Sequence, residues 1–227
     1  MIMERRRTMD RVVTLSIAGI LGACVTTAPA DYVGLDYEMT DSIPGNATWR
    51  IYATFDDAGD QLNSVFGDTS HALTINAGET QGFYQHPLGG PMGSDINPAL
   101  FSSFPSLEFD SWVTIGREDM VDNTMAAVGI DWTPFEDWGG DIFTDNGAWW
   151  SMPDSPQAFA GSELRVLIAQ LTTIGVDLRS VDGVINLQGA DAAGDSWTSL
   201  DVQLGIPAPG ALALLGLAAL TVRRRRN

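Results

Sequence analysis

TWRIYATF (48–55) decides the fold class. Trp49, Ile51, Ala53 and Phe55 fall on one side of an extended chain, and Thr48, Arg50, Tyr52 and Thr54 fall on the other. Successive side chains of a strand point to opposite faces, so this alternation predicts a strand buried on one side only. LEFDSWVTIG (107–116) alternates likewise, with Leu107, Phe109, Val113 and Ile115 opposed to Glu108, Asp110, Trp112 and Thr114. Further strands are expected at YVGLDYEM (32–39), QLNSVFG (61–67), HALTIN (71–76), AWWSM (148–152), GVINLQG (183–189) and WTSLDVQL (197–204).

One segment breaks this pattern. ELRVLIAQLTT (163–173) is apolar without interruption through Val166, Leu167 and Ile168, which suits a central strand covered on both faces or a short helix. No other stretch is strongly helical, and 24 glycines and 11 prolines punctuate the chain. Short strands separated by turns predict an all-β domain, a single β-sandwich of jelly-roll-like character over residues 31–205. No repeat of solenoid or propeller length is visible. HPLGGPMGSDINPALFSSFP (86–105) and DWTPFEDWGGDIFTDNG (131–147) read as long loops, rich in turn formers and holding several aromatics, that would fold over and cap an open sheet end.

Charge separates the body from the ends. Of the 12 basic residues, eight lie at the termini, while the body sets four arginines against 27 carboxylates, a net charge of −23. Such a field disfavours nucleic acid and anionic lipid and favours cations or cationic partners. The single cysteine, Cys24, precedes the body, so the domain has no disulfide framework and no thiol nucleophile.

At the front, a basic segment precedes the apolar VVTLSIAGILGACV (12–25), and TAPA (27–30) places small residues at Ala28 and Ala30. This is the pattern of a signal peptide over residues 1–30, cleaved to leave Asp31 first, and its apolar run is too short for a comfortable membrane span. LGAC (21–24) also resembles a lipobox, in which Cys24 would be lipidated and become the mature N-terminus. At the other end, residues 211–222 are almost wholly apolar, about 18 Å of helix against a hydrocarbon core of ~30 Å. Arg223, Arg224, Arg225 and Arg226 follow and would stay on the cytoplasmic side, leaving the acidic body outside.

Pro207, Ala208, Pro209 and Gly210, the short apolar helix and the arginine cluster together resemble a PEP-CTERM sorting signal over residues 206–227, with Ala208 in place of the usual acid. The resemblance implies an exosortase-like processing enzyme as partner and transient residence in the inner membrane. Release to the cell surface or an exopolysaccharide-rich matrix would follow. The body resembles a recurring group of exported proteins with such tails, through WRIYATFDDAGDQLNSVFGD (49–68), NPALF (97–101), FPSLEFDSWVTIG (104–116) and GVINLQ (183–188). That second likeness implies export and no particular chemistry.

Three kinds of site are candidates within the body. A glycan-binding face would combine Trp112 with Glu108 and Asp110, and Trp197 with Ser199, Asp201 and Gln203, because aromatic rings stack on sugar C–H faces while carboxylates and amides meet hydroxyls. The alternative is that these tryptophans pack beneath loops or the other sheet, since Trp is highly buried on average. Calcium would suit the acidic, glycine-containing turns, through Asp56, Asp57 and Asp60 or through Asp141, Asp145 and Asn146, although no EF-hand pattern is present. Paired carboxylates could support a secreted carbohydrate-active hydrolase, but with 27 acids any loose spacing is met by chance. His71 and His86 are the only histidines, and HExxH, GxSxG and a Ser/His/Asp grouping are all absent. The sequence therefore favours a non-enzymatic structural or glycan-adhesive protein.

Overall fold

A computed structural model describes residues 32–78, 80–175 and 179–207. The proposed signal peptide with Ala28 and Ala30, the expected first mature residue Asp31, and the tail from Ala208 through Pro209, Gly210 and Arg223, Arg224, Arg225 and Arg226 lie outside the described residues. Among those residues, no helix is long and apolar enough to cross a membrane.

The strands are β1 (Tyr32–Thr40), β2 (Asn46–Phe55), β3 (Gln61–Gly67), β4 (Leu73–Asn76), β5 (Trp112–Val113), β6 (Ala126–Val128), β7 (Ile142–Thr144), β8 (Gly147–Trp150), β9 (Arg165–Ile174), β10 (Arg179–Ala190) and β11 (Ser196–Pro207), with one short helix, α1 (Thr133–Trp138). They form an all-β sandwich of two antiparallel sheets. One sheet has the order β1-β2-β9-β5. In the other, β10 is central: β11 runs along one edge, β3 and β4 share the opposite edge, and β8, β6 and β7 extend outward from them. β11 continues through Pro207, so the first proline of the tail motif belongs to the sheet, paired opposite Arg179.

Alternation in β2 places the core. Trp49, Ile51, Ala53 and Phe55 are all buried and meet Leu62, Val65, Leu73, Ile75, Trp149, Ile185 and Leu187 from the other sheet. β9 is a central strand covered on both sides. Its Val166, Ile168 and Leu171 join the main core, whereas Leu167 joins a second cluster with Tyr52, Ile96, Leu107 and Trp112 on the outer side of the four-stranded sheet. Segment 86–111 builds that second layer through 3₁₀ turns at Gly93–Asp95, Pro98–Leu100 and Pro105–Phe109. It lowers Ile96 and Leu107 onto the sheet, which explains why β9 reads as continuously apolar.

The expected strand at 107–116 is mostly absent. Pro105, in the first turn of Pro105–Phe109, has a fixed φ and no N–H to give a ladder, so the chain coils until Asp110 and only Trp112–Val113 pair as β5. Val113 and Ile115 still enter the main core, but Leu107 goes to the outer cluster because the turn resets the phase.

Segment 131–147 closes one end of the sandwich. Phe135 on α1 is fully buried against Phe83 and Trp132, with ring centroids 5.5 and 6.3 Å apart, and Trp132 in turn lies 6.4 Å from Trp149. Gly139 ends the helix at φ 63°, and a Cβ there would collide with the Phe83 carbonyl, so this position requires glycine.

Candidate functional site

On the outer face of the four-stranded sheet, beyond the edge of the covering loop, lies a groove of about 470 Å³. β2 contributes Arg50 and Tyr52, which alternation turns away from the core, and β9 contributes Arg165 and Leu167. Glu38 stands directly across from Arg50 on β1, Glu118 comes from the loop after β5, and Glu163 comes from the turn before β9.

Each arginine is held in place. The Arg165 guanidinium sits 4.0 Å over the Tyr52 ring and donates to Glu163 at 3.1 Å and Glu38 at 3.2 Å. Burial works against its charge, but Glu163, Tyr52 and Glu38 outweigh it and keep the group above the ordinary arginine value. Burial also raises the Tyr52 phenol, the two arginines notwithstanding, so at neutral pH it is a neutral hydroxyl. Arg50 makes a two-pronged pair with Glu118 at 2.8 and 2.7 Å and donates through Nε to Gln170 Oε1 at 3.2 Å. Gln170 then donates to the carbonyls of Glu108 and Asp110, which ties the groove floor to the covering loop.

Arg50 and Glu118 also wall a small adjoining pocket of about 60 Å³, lined besides by Ile96, Phe101, Glu108, Trp112, Asp119 and Gln170. The Trp112 indole N–H is buried and finds no partner among the described residues. Two arginines facing three groove carboxylates, with Asp36 3.7 Å from Arg165, leave this surface mildly acidic, rich in donors and acceptors, and backed by aromatic rings.

The structure brings only part of the expected glycan face together. Trp112 and Glu108 line the small pocket, but Trp112 is 2% exposed and presents no open ring face. Asp110 lies beneath, wholly enclosed, its Oδ1 accepting the His86 N–H at 2.6 Å. Burial, with the nearby Glu136 charge, pushes its carboxyl up to about 7 against the backbone donors that favour the charged form.

Trp197 does not share a face with Asp201 and Gln203. Ser199 pairs with Leu187 and Val202 with Ile185, so Leu200 and Asp201 together oppose Asn186 in a β-bulge. Asp201 takes φ 52°, its N–H donates to Asn186 Oδ1, and its carboxylate meets His71 Nδ1 at 2.9 Å. The extra residue reverses the alternation. Trp197, Val202 and Leu204 therefore turn inward, and Asp201 and Gln203 turn outward. Trp197 is packing: its ring stacks on Tyr32 at 6.0 Å and lies 5.7 Å from Phe55, closing the seam between the sheets.

The acidic turns are occupied by their own backbone. Asp60 is buried and accepts the N–H of Asp57 through Oδ2 and of Ala192 through Oδ1, joining the turns at 56–60 and 191–195. Asp57 accepts from Gly59, and Asp141 accepts from Ala77. Among the described residues no three His, Cys, Asp or Glu side chains converge to hold a metal ion.

Arg50, Tyr52, Arg165 and Gln170 were not singled out from sequence, although two of the body's four arginines at outward positions of adjacent strands were a usable signal. In comparisons with family models, curated proteins and solved structures, the chain has no match.

Proposed function

We propose that the protein is an exported, non-enzymatic β-sandwich that binds neutral glycan chains through the groove on its four-stranded sheet. An N-terminal signal peptide would deliver it across the inner membrane, and the PEP-CTERM-like tail would hold it there until an exosortase-like enzyme cleaves it. It would then act at the cell surface or in an exopolysaccharide matrix. The observation that carries this proposal is the groove itself, where Arg50 and Arg165 are fixed by hydrogen bonds and ion pairs, with Tyr52 under the Arg165 guanidinium, before any ligand arrives. Pre-ordered polar groups around a concave surface bind polyols without a large ordering cost.

The runner-up, a carbohydrate-active hydrolase, requires a protonated carboxyl in contact with substrate. Among the described residues Asp60, Asp95, Asp110 and Glu136 are raised by burial, and these four stand away from the groove lining. A glycan array followed by titration decides between the two. Binding without release of reducing ends, weakened at least about tenfold by Arg165→Ala or Tyr52→Ala, supports the proposal. Unchanged affinity in both variants would overturn the groove, and reducing-end release would establish the hydrolase.

A further inference from the structure

A second concave site lies on the opposite side of the sandwich. It is a cleft of about 380 Å³ on the outer face of the seven-stranded sheet, lined by Gln61, Asn63, Asp154, Gln188 and Ser196. Its floor is β3 and β10, where a register shift pairs Gln188 with Ser64 and Gly189 with Leu62. Asn63 is therefore the extra residue of a bulge, a device that re-aims side chains out of the regular alternation. Gly189 lies between this floor and the core: a Cβ there would strike the Gln61 carbonyl and the inward-facing Trp197 ring.

One half of this cleft is fixed and the other half is free. Gln61, 5% exposed, accepts the Asp154 N–H at 2.9 Å and donates to Asp154 Oδ1 at 3.3 Å, while Asp154 holds φ 62° to make the exchange. The Gln188 amide, Asn63 Oδ1, Asp154 Oδ2 and the Ser196 hydroxyl line the same space and make no side-chain hydrogen bond among the described residues. Trp150 belongs to the same cross-strand row, paired with Ser64 as Ser64 is with Gln188, and its neighbour Trp149 is the one in the core.

A primary amide presents a donor and an acceptor side by side, which matches a pair of neighbouring hydroxyls, each of them also donor and acceptor. With the Gln188 amide, the Asn63 amide oxygen, one hydroxyl and one carboxylate oxygen on its free side, the cleft suits an uncharged polyol, and its volume lies within the range of small-ligand sites. We propose that it is a second binding site for a neutral sugar residue, and that two sites on opposite faces make the protein a cross-linker of glycan chains. The cleft stands on its own geometry; the cross-linking rests in addition on the groove proposed above. Segment 153–163 reaches both, with Pro153 and Asp154 at the cleft and Ala160, Gly161, Ser162 and Glu163 at the groove.

The test is a titration of the ¹⁵N-labelled protein with cello-, xylo-, malto- and chito-oligosaccharides, following the side-chain NH₂ resonances of Asn63 and Gln188 and the Nε–H resonances of Arg50 and Arg165. Saturable shifts of the amide resonances with at least one series are expected, persisting in an Arg50→Ala/Arg165→Ala variant and weakened about tenfold by Gln188→Ala. A soluble polysaccharide of that sugar should turn viscous with the unaltered protein. Either single-site variant should bind it without thickening it. Movement of the arginine resonances alone would overturn the cleft and leave the groove standing. Movement of the amides alone would keep the cleft and remove both groove and cross-linking. Silence from Asn63 and Gln188 with all four series would overturn the second site.

Discussion

The unpartnered Oδ2 of Asp110 lies against the Cα of Gly89, in the space a Cβ on that residue would occupy. The two ends of segment 86–111 approach this closely only because position 89 has no side chain. The contact closes the segment on itself just before β5, and so helps hold the outer layer of the four-stranded sheet. Gly89→Ala is expected to destabilise the protein by about 2–3 kcal/mol through overpacking. Asp110→Ala costs stability separately, since it strands the buried His86 N–H. The double variant should be less unstable than the sum of the two, because the clash disappears with the carboxylate. Urea denaturation of the four proteins gives the coupling, and strict additivity would show that the contact is not under pressure.

Asp110 also gives stability a pH dependence of definite sign. Its carboxyl is pushed up to about 7 in the folded protein, whereas in the unfolded chain it titrates near the ordinary aspartate value. Between those values the native state holds the proton and the unfolded state does not, so stability is greatest below pH ~4 for this group and is lost as pH rises through about 7. Glu136, Asp95 and Asp60 are raised by burial and add in the same direction. Thermal melts should therefore shift upward as pH falls from 8 to 5, and Asp110→Asn, which stays neutral and keeps an acceptor for His86, should flatten that slope. An equal slope in the variant would remove Asp110 as its source.

The sheets were legible wherever side-chain alternation ran undisturbed. TWRIYATF puts Trp49, Ile51, Ala53 and Phe55 in the core as its period demands, and ELRVLIAQLTT is a strand covered on both sides. Legibility failed at two single-residue events. Pro105 starts a 3₁₀ turn inside an alternating stretch, and a bulge at Leu200 and Asp201 shifts β11 by one position. The turn sends Leu107 to the outer cluster while Val113 and Ile115 keep to the main core, and the bulge exchanges the two faces of β11, as a slip of one residue must. A bulge held by an aspartate at positive φ has no compositional mark, because Asn186 and His71, the groups that stabilise it, are distant in sequence. The groove was missed for a related reason: its residues come from β1, β2, β9 and two loops, and only the folded sheet makes them neighbours.

Removal of divalent cations should leave the fold untouched. The buried Asp60 already has a backbone donor on each oxygen, which ties the two turns together without an ion. A ligand bound only to the native state raises the melting temperature in proportion to the logarithm of its concentration over Kd. Melting in excess chelator and in excess calcium should therefore coincide. A separation of several degrees would reveal an ion site formed by groups other than these turns. Asp60→Asn, which retains only one good acceptor for the two N–H groups, is expected to cost about 1–2 kcal/mol in either buffer.

Trp197 and Gln203 would behave alike if β11 ran without a bulge, and the observed structure requires them to differ. The Trp197 ring covers Gly189, stacks on Tyr32 and seals the seam beside Phe55, so truncation opens a void between the two sheets. Trp197→Ala is expected to cost about 3 kcal/mol. Gln203 points to solvent and donates only to the Asp201 carbonyl, so Gln203→Ala should stay within about 0.5 kcal/mol. Asp201→Val adds a sharper check, because a β-branched residue cannot hold φ 52° cheaply, and loss of about 2 kcal/mol is expected. Asp201→Gly, which relieves the backbone while giving up the exposed contact to His71, should be nearly neutral. Equal losses for Val and Gly would mean that the His71 contact, and not the backbone conformation, governs the bulge.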